Sequence, residues 1–255
     1  MIGMHRRRQL VRTLHLATPL ALACAGLVAF AQPKEPPRGH IILVGDSTMQ
    51  ARTGYGDAFC LLVAPDVACS NLAKGGRSTS SFRAEGRWDE VLQRLKSDPK
   101  TPTWVLIQFG HNDQPGKPGR STDLQTEYPQ NLVRYVQEAR QHGGLPVLVT
   151  PLTRRTFHGA QLENNLLPWA ESMRRVASEQ GVPLIDLNSV SFQAVQAMGQ
   201  AQADTLAMES PPKAGDMKST FDRTHLGEKG ASLFAAMVVA GARQIAELRA
   251  CFRAE

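Results

Sequence analysis

Aromatic residues are scarce in this chain, and no stretch of clustered basic residues carries aromatics between them. That leaves no sign of a stacking, phosphate-binding nucleic-acid surface. Long apolar runs are absent after the first thirty residues, and the one that exists, Leu14 to Phe30, is interrupted by Pro19 and falls short of a clean membrane span. No period of 20–50 residues repeats, which excludes solenoids and propellers. No long low-complexity tract occurs, and His, Cys, Asp and Glu nowhere gather at the spacings of a structural metal site.

The apolar run has a clear alternative meaning. Arg6, Arg7, Arg8 and Arg12 precede it, and Ala29-Phe30-Ala31 closes it with a small-x-small site. This is the pattern of a cleavable signal peptide over residues 1–31, with a mature chain starting near Gln32 and no stable membrane anchor after cleavage. General secretion and twin-arginine export both fit the basic start. Without residues 1–31 the formal charge falls from +6 to +2, so the basic character belongs mostly to the leader. The expected location is periplasmic or secreted. Of the cysteines left, Cys60 and Cys69 are close enough in sequence to close a small disulfide in an oxidising compartment, leaving Cys251 over; three free thiols are the alternative.

Residues 32–39 are a proline-rich lead-in, and a single domain is expected over 40–255. Short apolar runs at His40–Val44, Val67–Leu72, Trp104–Phe109, Pro146–Thr150 and Pro183–Leu187 read as strands buried on both faces. Between them, Trp88, Val91, Leu92 and Leu95 fall on one helical stripe, as do Leu132, Tyr135, Val136 and Ala139, and Trp169, Ala170, Met173, Val176 and Ala177. A fourth helix is expected from about Glu228 to Leu248, and residues 199–224 lack clear periodicity. Strands alternating with amphipathic helices imply an α/β fold of parallel βαβ units, whose ligands sit at the carboxyl ends of the strands.

Those strand ends carry the chemistry. Gly45-Asp46-Ser47-Thr48 follows the first strand and sets a hydroxyl in a tight turn, although Asp46 or Ser47 in isolation also suits a helix cap. Asp222-Arg223-Thr224-His225 precedes the last helix, where the carboxylate can orient one ring nitrogen while the other faces Ser47. Acyl transfer also needs donors for a developing oxyanion, and two further strand ends supply candidates in Gly76 and Asn112.

Taken together, Gly45–Met49, Ala73–Ser78 with Ser81-Phe82, Glu85-Gly86-Arg87, Phe109–Asp113 and Asp222–His225 resemble the blocks of the SGNH (GDSL-type) hydrolase superfamily. More closely they resemble those of its rhamnogalacturonan acetylesterase family. The resemblance implies a flavodoxin-like three-layer α/β/α sandwich with a five-stranded parallel sheet. It also implies hydrolysis of acetyl esters on pectic polysaccharide, without metal or cofactor. Ser47, Asp222 and His225 then take the catalytic roles, while the oxyanion is held by the N–H groups of Ser47 and Gly76 and by the Asn112 amide. Substrate contacts are expected from Asp46, Tyr55, Arg77 and His111, and Arg154 and Arg155 are further cations for an anionic sugar or simply solvated charges. Tyr55 and Leu226 depart from the residues common in that family, which bears on the polysaccharide more than on the reaction. The partner is an acetylated poly- or oligosaccharide and the chain is expected to be a monomer. Two other functions are compatible with the blocks: a lipase or thioesterase for longer acyl chains, and a silent carbohydrate-binding protein.

Overall fold

In the computed structural model, apolar residues of the first strand alternate between two cores. Ile41 and Leu43 of β1 (Gly39–Gly45) face one, Ile42 and Val44 the other, and all four are fully buried. A strand whose two faces are both covered lies at the centre of a three-layer structure. The structure describes residues 38–208 and 222–253, within one compact unit spanning 36–255. The expected signal peptide and residues 32–37 of the lead-in lie outside the described residues.

After β1 come α1 (Gly56–Leu61), β2 (Val67–Asn71), α2 (Ser81–Ala84), α3 (Arg87–Ser97) and β3 (Thr103–Gln108). Then follow α4 (Glu127–Gln141), β4 (Leu145–Val149), a two-residue hairpin pair β5 (Phe157–His158) and β6 (Gln161–Leu162), and α5 (Leu167–Glu179). The described chain closes with β7 (Leu184–Ile185), α6 (Leu187–Asp204), α7 (Glu228–Ala242) and α8 (Ala246–Arg249). The main sheet has the order β2-β1-β3-β4-β7 with every pairing parallel. This is the flavodoxin-like order, in which β1 and β3 flank the point where the winding reverses.

Helices α3, α4 and α5 cover one face, burying Trp88, Val91 and Leu95, then Leu132, Tyr135 and Val136, then Trp169, Met173 and Val176. Local signals support them: α3 opens on Asp89 and Glu90 and ends on Arg94 and Lys96, matching the helix dipole, and α5 starts on a proline. Helices α1, α6, α7 and α8 cover the other face. The Cys60–Cys69 disulfide joins α1 to β2, and Cys251 is a buried free thiol.

Two expectations need correction. The helix expected to run unbroken to Leu248 stops at Ala242 and resumes at Ala246, because Ile245 is extended (φ −86°, ψ 115°) and turns the chain. The stretch without periodicity begins later than Gly199, since α6 continues to Asp204 across a kink at Gly199 (φ 70°, ψ 168°). Residues 209–221 of that stretch lie outside the described residues.

Candidate active site

Gly45 ends β1 with no room for a side chain: a Cβ there would come within 2.7 Å of the Gln108 carbonyl oxygen. The chain then turns sharply over residues 46–50, with the Met49 and Gln50 N–H groups donating to the Asp46 carbonyl at 3.2 and 3.0 Å. Asp46 also accepts from the Thr48 N–H (2.9 Å) and hydroxyl (2.8 Å), which locks the turn from inside. This turn does not run straight into a helix, as α1 starts only at Gly56. Ser47 is held at its apex, 9% exposed, with its carbonyl fixed by the Thr53 hydroxyl at 2.7 Å.

The last loop brings Asp222 and His225 to this turn. Asp222 Oδ1 accepts from the N–H groups of Thr224 (2.9 Å) and His225 (2.8 Å), a local turn that presents the ring. His225 Nδ1 lies 2.7 Å from Asp222 Oδ2, and Nε2 lies 2.8 Å from Ser47 Oγ. An ionised carboxylate only accepts, so Nδ1 carries the proton and Nε2 is left to accept from the serine hydroxyl. Burial raises the Asp222 carboxyl, but the donors from His225 and Thr224 outweigh it and hold it below the usual carboxylate range. The loop is anchored in turn by the Leu226 N–H donating to the Thr53 carbonyl at 2.9 Å, next to the serine turn.

Two more loops complete the cleft. The Lys74 N–H donates to the Gly45 carbonyl at 2.9 Å, and Gly75 N–H bonds the Gln50 side chain, so the loop after β2 lies against the serine turn. Gly76 has φ +78°, a conformation that favours glycine, and its N–H donates to no described residue. After β3, the Asn112 amide donates one proton to the Arg77 carbonyl at 3.1 Å and keeps its second for another acceptor. Asp113, fully buried, ties the two loops by accepting from the Thr79 N–H (3.0 Å) and hydroxyl (2.5 Å) and from the Thr122 hydroxyl (3.0 Å). The Tyr135 hydroxyl on α4 donates to the Thr79 carbonyl at 2.9 Å and fixes the same loop from behind.

The other expected contacts divide. Asp46 is fully buried, and although burial raises its carboxyl, neighbouring His111 and the Thr48 donors hold it below the usual range. His111, 2% exposed, sets Nδ1 3.5 Å from Asp46 Oδ2, so this pair links the serine turn to the Asn112 loop from below. Arg77 is half-buried and spent on Glu85, at 2.9 and 3.0 Å to its two oxygens. Tyr55 is not placed to touch a substrate. Flanking Gly54 is packed so tightly on Thr48 that a Cβ would fall 2.2 Å from its carbonyl carbon, and this draws the Tyr55 ring into the core, where its hydroxyl donates to Gln108 Oε1 at 2.7 Å. Arg155 is not a surface charge either: it is fully buried under the Asp222–His225 loop. Arg154 is half-buried, donating to Asn165 Oδ1 at 2.8 Å.

Gln108, Thr48, Thr53 and Thr79 were not singled out by the sequence. The one signal for Gln108 was a polar residue within the otherwise apolar run Trp104–Phe109, and in the structure it bridges the serine turn through Nε2 to the Thr48 hydroxyl at 2.8 Å. Among the described residues no three His, Cys, Asp or Glu side chains are grouped to hold a metal ion.

Residues 43–233, which include all of these loops, match the model of the GDSL-like lipase/acylhydrolase family. The chain belongs to that family. As a member it is an ester hydrolase, and its relatives narrow the group. It is 32% identical over 81% of its length to the probable rhamnogalacturonan acetylesterase YesY of Bacillus subtilis, covering 93% of that protein. It is 33% identical over 81% of its length to the rhamnogalacturonan acetylesterase RhgT of the same organism, covering 90% of it. Among solved structures, protein YxiM of Bacillus subtilis superposes with a TM-score of 0.66 at 23% identity, over 82% of this chain and 57% of the length of that one. That likeness bears on the fold alone.

Proposed function

We propose that this esterase removes acetyl groups from an acetylated pectic polysaccharide of the rhamnogalacturonan type, with Ser47 as nucleophile, His225 as base and Asp222 as its orienting carboxylate. The observation that carries the reading is the continuous hydrogen-bonded series from Ser47 Oγ to His225 (2.8 Å) and on to Asp222 (2.7 Å). His225 Nε2 takes the serine proton as Oγ attacks the acetyl carbonyl, and the imidazolium so formed is stabilised by Asp222. The tetrahedral oxyanion is held by the N–H groups of Ser47 and Gly76 and by the free Asn112 amide proton. The sugar hydroxyl leaves with the proton from His225, and water then hydrolyses the acyl-enzyme through the same base.

The relatives named as rhamnogalacturonan acetylesterases support the substrate. So does the charge at the cleft. Arg120 Nη1 comes 3.5 Å from where a Gly76 Cβ would sit, and burial, then Arg154 and Arg120, push the Lys117 ammonium down. Among the described residues none of these three cations has a carboxylate at ion-pair distance, and only Asp46 and Glu163 act on Lys117 or Arg154 from further away, so a uronate polymer would supply a close anion. His111 and Asp46 sit beneath this rim as support for the bound sugar. Export is favoured by the leader-like N-terminus and by the Cys60–Cys69 disulfide, which persists in oxidising compartments.

Acetate release from acetylated rhamnogalacturonan, homogalacturonan and xylan, compared with long-chain acyl esters, tests the reading. The expected order places acetylated rhamnogalacturonan first, with Ser47→Ala about four to six orders of magnitude slower. Preference for long acyl chains, or substantial turnover by Ser47→Ala, overturns it.

A further inference from the structure

Arg155 puts its main chain and its side chain on one target. Its N–H donates to the Arg223 carbonyl at 2.9 Å, and its guanidinium reaches the carbonyls of Asp222 (2.7 Å), His225 (2.6 Å) and Thr224 (3.5 Å). One residue therefore gathers the carbonyls of four successive residues, 222 to 225, which are the whole segment bearing the base and its carboxylate. Arg155 itself is held: its own carbonyl accepts from Gln200 Nε2 at 3.2 Å, and Gln200 is pinned by Asp204 Oδ1 at 2.5 Å on α6.

The side chain is fully buried. Burial lowers the guanidinium to about 10, with Asp222 and Asp204 opposing the shift, so it stays charged at neutral pH. A buried cation of this kind is costly unless its donors are satisfied, and here backbone carbonyls of a loop accept from both terminal nitrogens, while Nε has no partner among the described residues. The fork of a guanidinium is suited to this, because it offers several in-plane donors in fixed directions, whereas an ammonium offers a point charge. The other ties of the segment are longer or lie at its edge: Arg154 Nε reaches the Thr224 hydroxyl and Arg223 Nε reaches Asp204 Oδ1, at 3.3 and 3.4 Å, the Asp222 turn bonds are internal, and the Leu226 bonds to Thr53 and Ala207 lie beyond His225.

We infer that Arg155 is the positioning residue of this active site: its guanidinium sets the Asp222–His225 segment at the height that keeps His225 Nε2 within hydrogen-bond reach of Ser47. It touches neither substrate nor reacting atoms, and it acts through the backbone of the two residues that do the chemistry. The inference rests on the proposed catalytic reading of Ser47, His225 and Asp222. It predicts that loss of Arg155 lowers kcat while leaving KM nearly unchanged, since Arg155 is fully buried and is not one of the rim cations.

The test uses the full-length protein with p-nitrophenyl acetate, with folding followed by circular dichroism, for Arg155→Lys and Arg155→Ala. Misplacing a reacting group by about 1 Å can cost on the order of 100-fold, so Arg155→Ala is expected to lose 30- to 100-fold or so in kcat at a KM within about twofold of wild type. Arg155→Lys is expected to lose about tenfold, because a single ammonium on a shorter side chain cannot span carbonyls that the guanidinium reaches from two separate nitrogens. Added guanidinium at millimolar concentration is expected to restore part of the kcat of Arg155→Ala, a recovery that a general loss of folded protein would not show. If Arg155→Ala does not fold, Arg155→Lys carries the test. Folded Arg155→Lys with wild-type kcat overturns the inference, as does a loss in kcat that merely follows the folded fraction. A wild-type protein that hydrolyses no ester overturns the catalytic reading and this inference together, whereas an active wild type with indifferent Arg155 variants overturns this inference alone.

Discussion

Asn112 and Asp113 are neighbours in sequence with unlike tasks. Asn112 uses one amide proton to bind the Arg77 carbonyl, and with the other on the oxyanion as proposed, Asn112→Ala is expected to lower kcat by about 10²–10³ with little change in KM. Steady-state kinetics on an acetyl ester check this, and a loss confined to KM would argue against the oxyanion role. Asp113 is pushed up to about 7 by burial, against the Thr79 and Thr122 donors. Its folded carboxyl thus titrates above an unfolded aspartate, near 4, and binds its proton more tightly in the native state. The stability this contributes is complete below about pH 4 and is lost as pH rises through about 7. Asp113→Asn has no such proton, so its melting temperature is expected to fall less than that of wild type between about pH 4 and 7. Thermal melts across that range decide the matter; equal slopes would remove Asp113 from the pH response.

At the level of elements, each loop of the site is tied to a helix or strand that does not itself touch it in sequence. A covalent tie of shorter range is the disulfide, which fastens α1 to the following strand β2 across a separation of 9 residues. Closing a loop of that size is worth about 2–3 kcal/mol in the unfolded-chain model. Cys60→Ser with Cys69→Ser is therefore expected to lower the melting temperature by roughly 5–10 °C, with kcat retained, as calorimetry and an ester assay together would show. An unchanged melting temperature would mean that packing alone fixes α1. The amphipathic helices α3, α4 and α5 were legible because their apolar stripes recur at helical spacing. Helix α6 was not, since its buried face includes Asn188 and Ser191, whose polarity is satisfied by Pro151, Asn164 and the Thr153 N–H across the fold. Such a face shows no apolar stripe, and its partners lie far away in sequence.

Across the whole molecule, charge outside residues 1–31 is nearly balanced, yet Lys117, Arg120 and Arg154 lie close together beside the Gly76 loop. On the proposed reading, local concentration of one sign, not net charge, draws an anionic substrate in. KM for an acetylated uronate polymer is expected to rise as added salt shortens the screening length below about 10 Å, while KM for a neutral acetyl ester stays constant. Kinetics on both substrates over a salt series measure this; parallel behaviour of the two would remove electrostatics from substrate choice.

The five parallel strands, helices α3, α4 and α5, and Ser47, Gly76, Asn112, Asp222 and His225 as candidates were readable from the sequence, because each depends on local periodicity or on a residue type beside a strand or helix end. What tertiary structure alone decided was which of the remaining polar residues face the cleft and which hold it up. Tyr55 and Arg155 have side chains that suit a binding surface, and both were drawn inside by contacts with segments 53 and about 70 residues away. Burial of a polar group depends on whether a distant part of the chain supplies its hydrogen-bond partner, and no local pattern of residues carries that information.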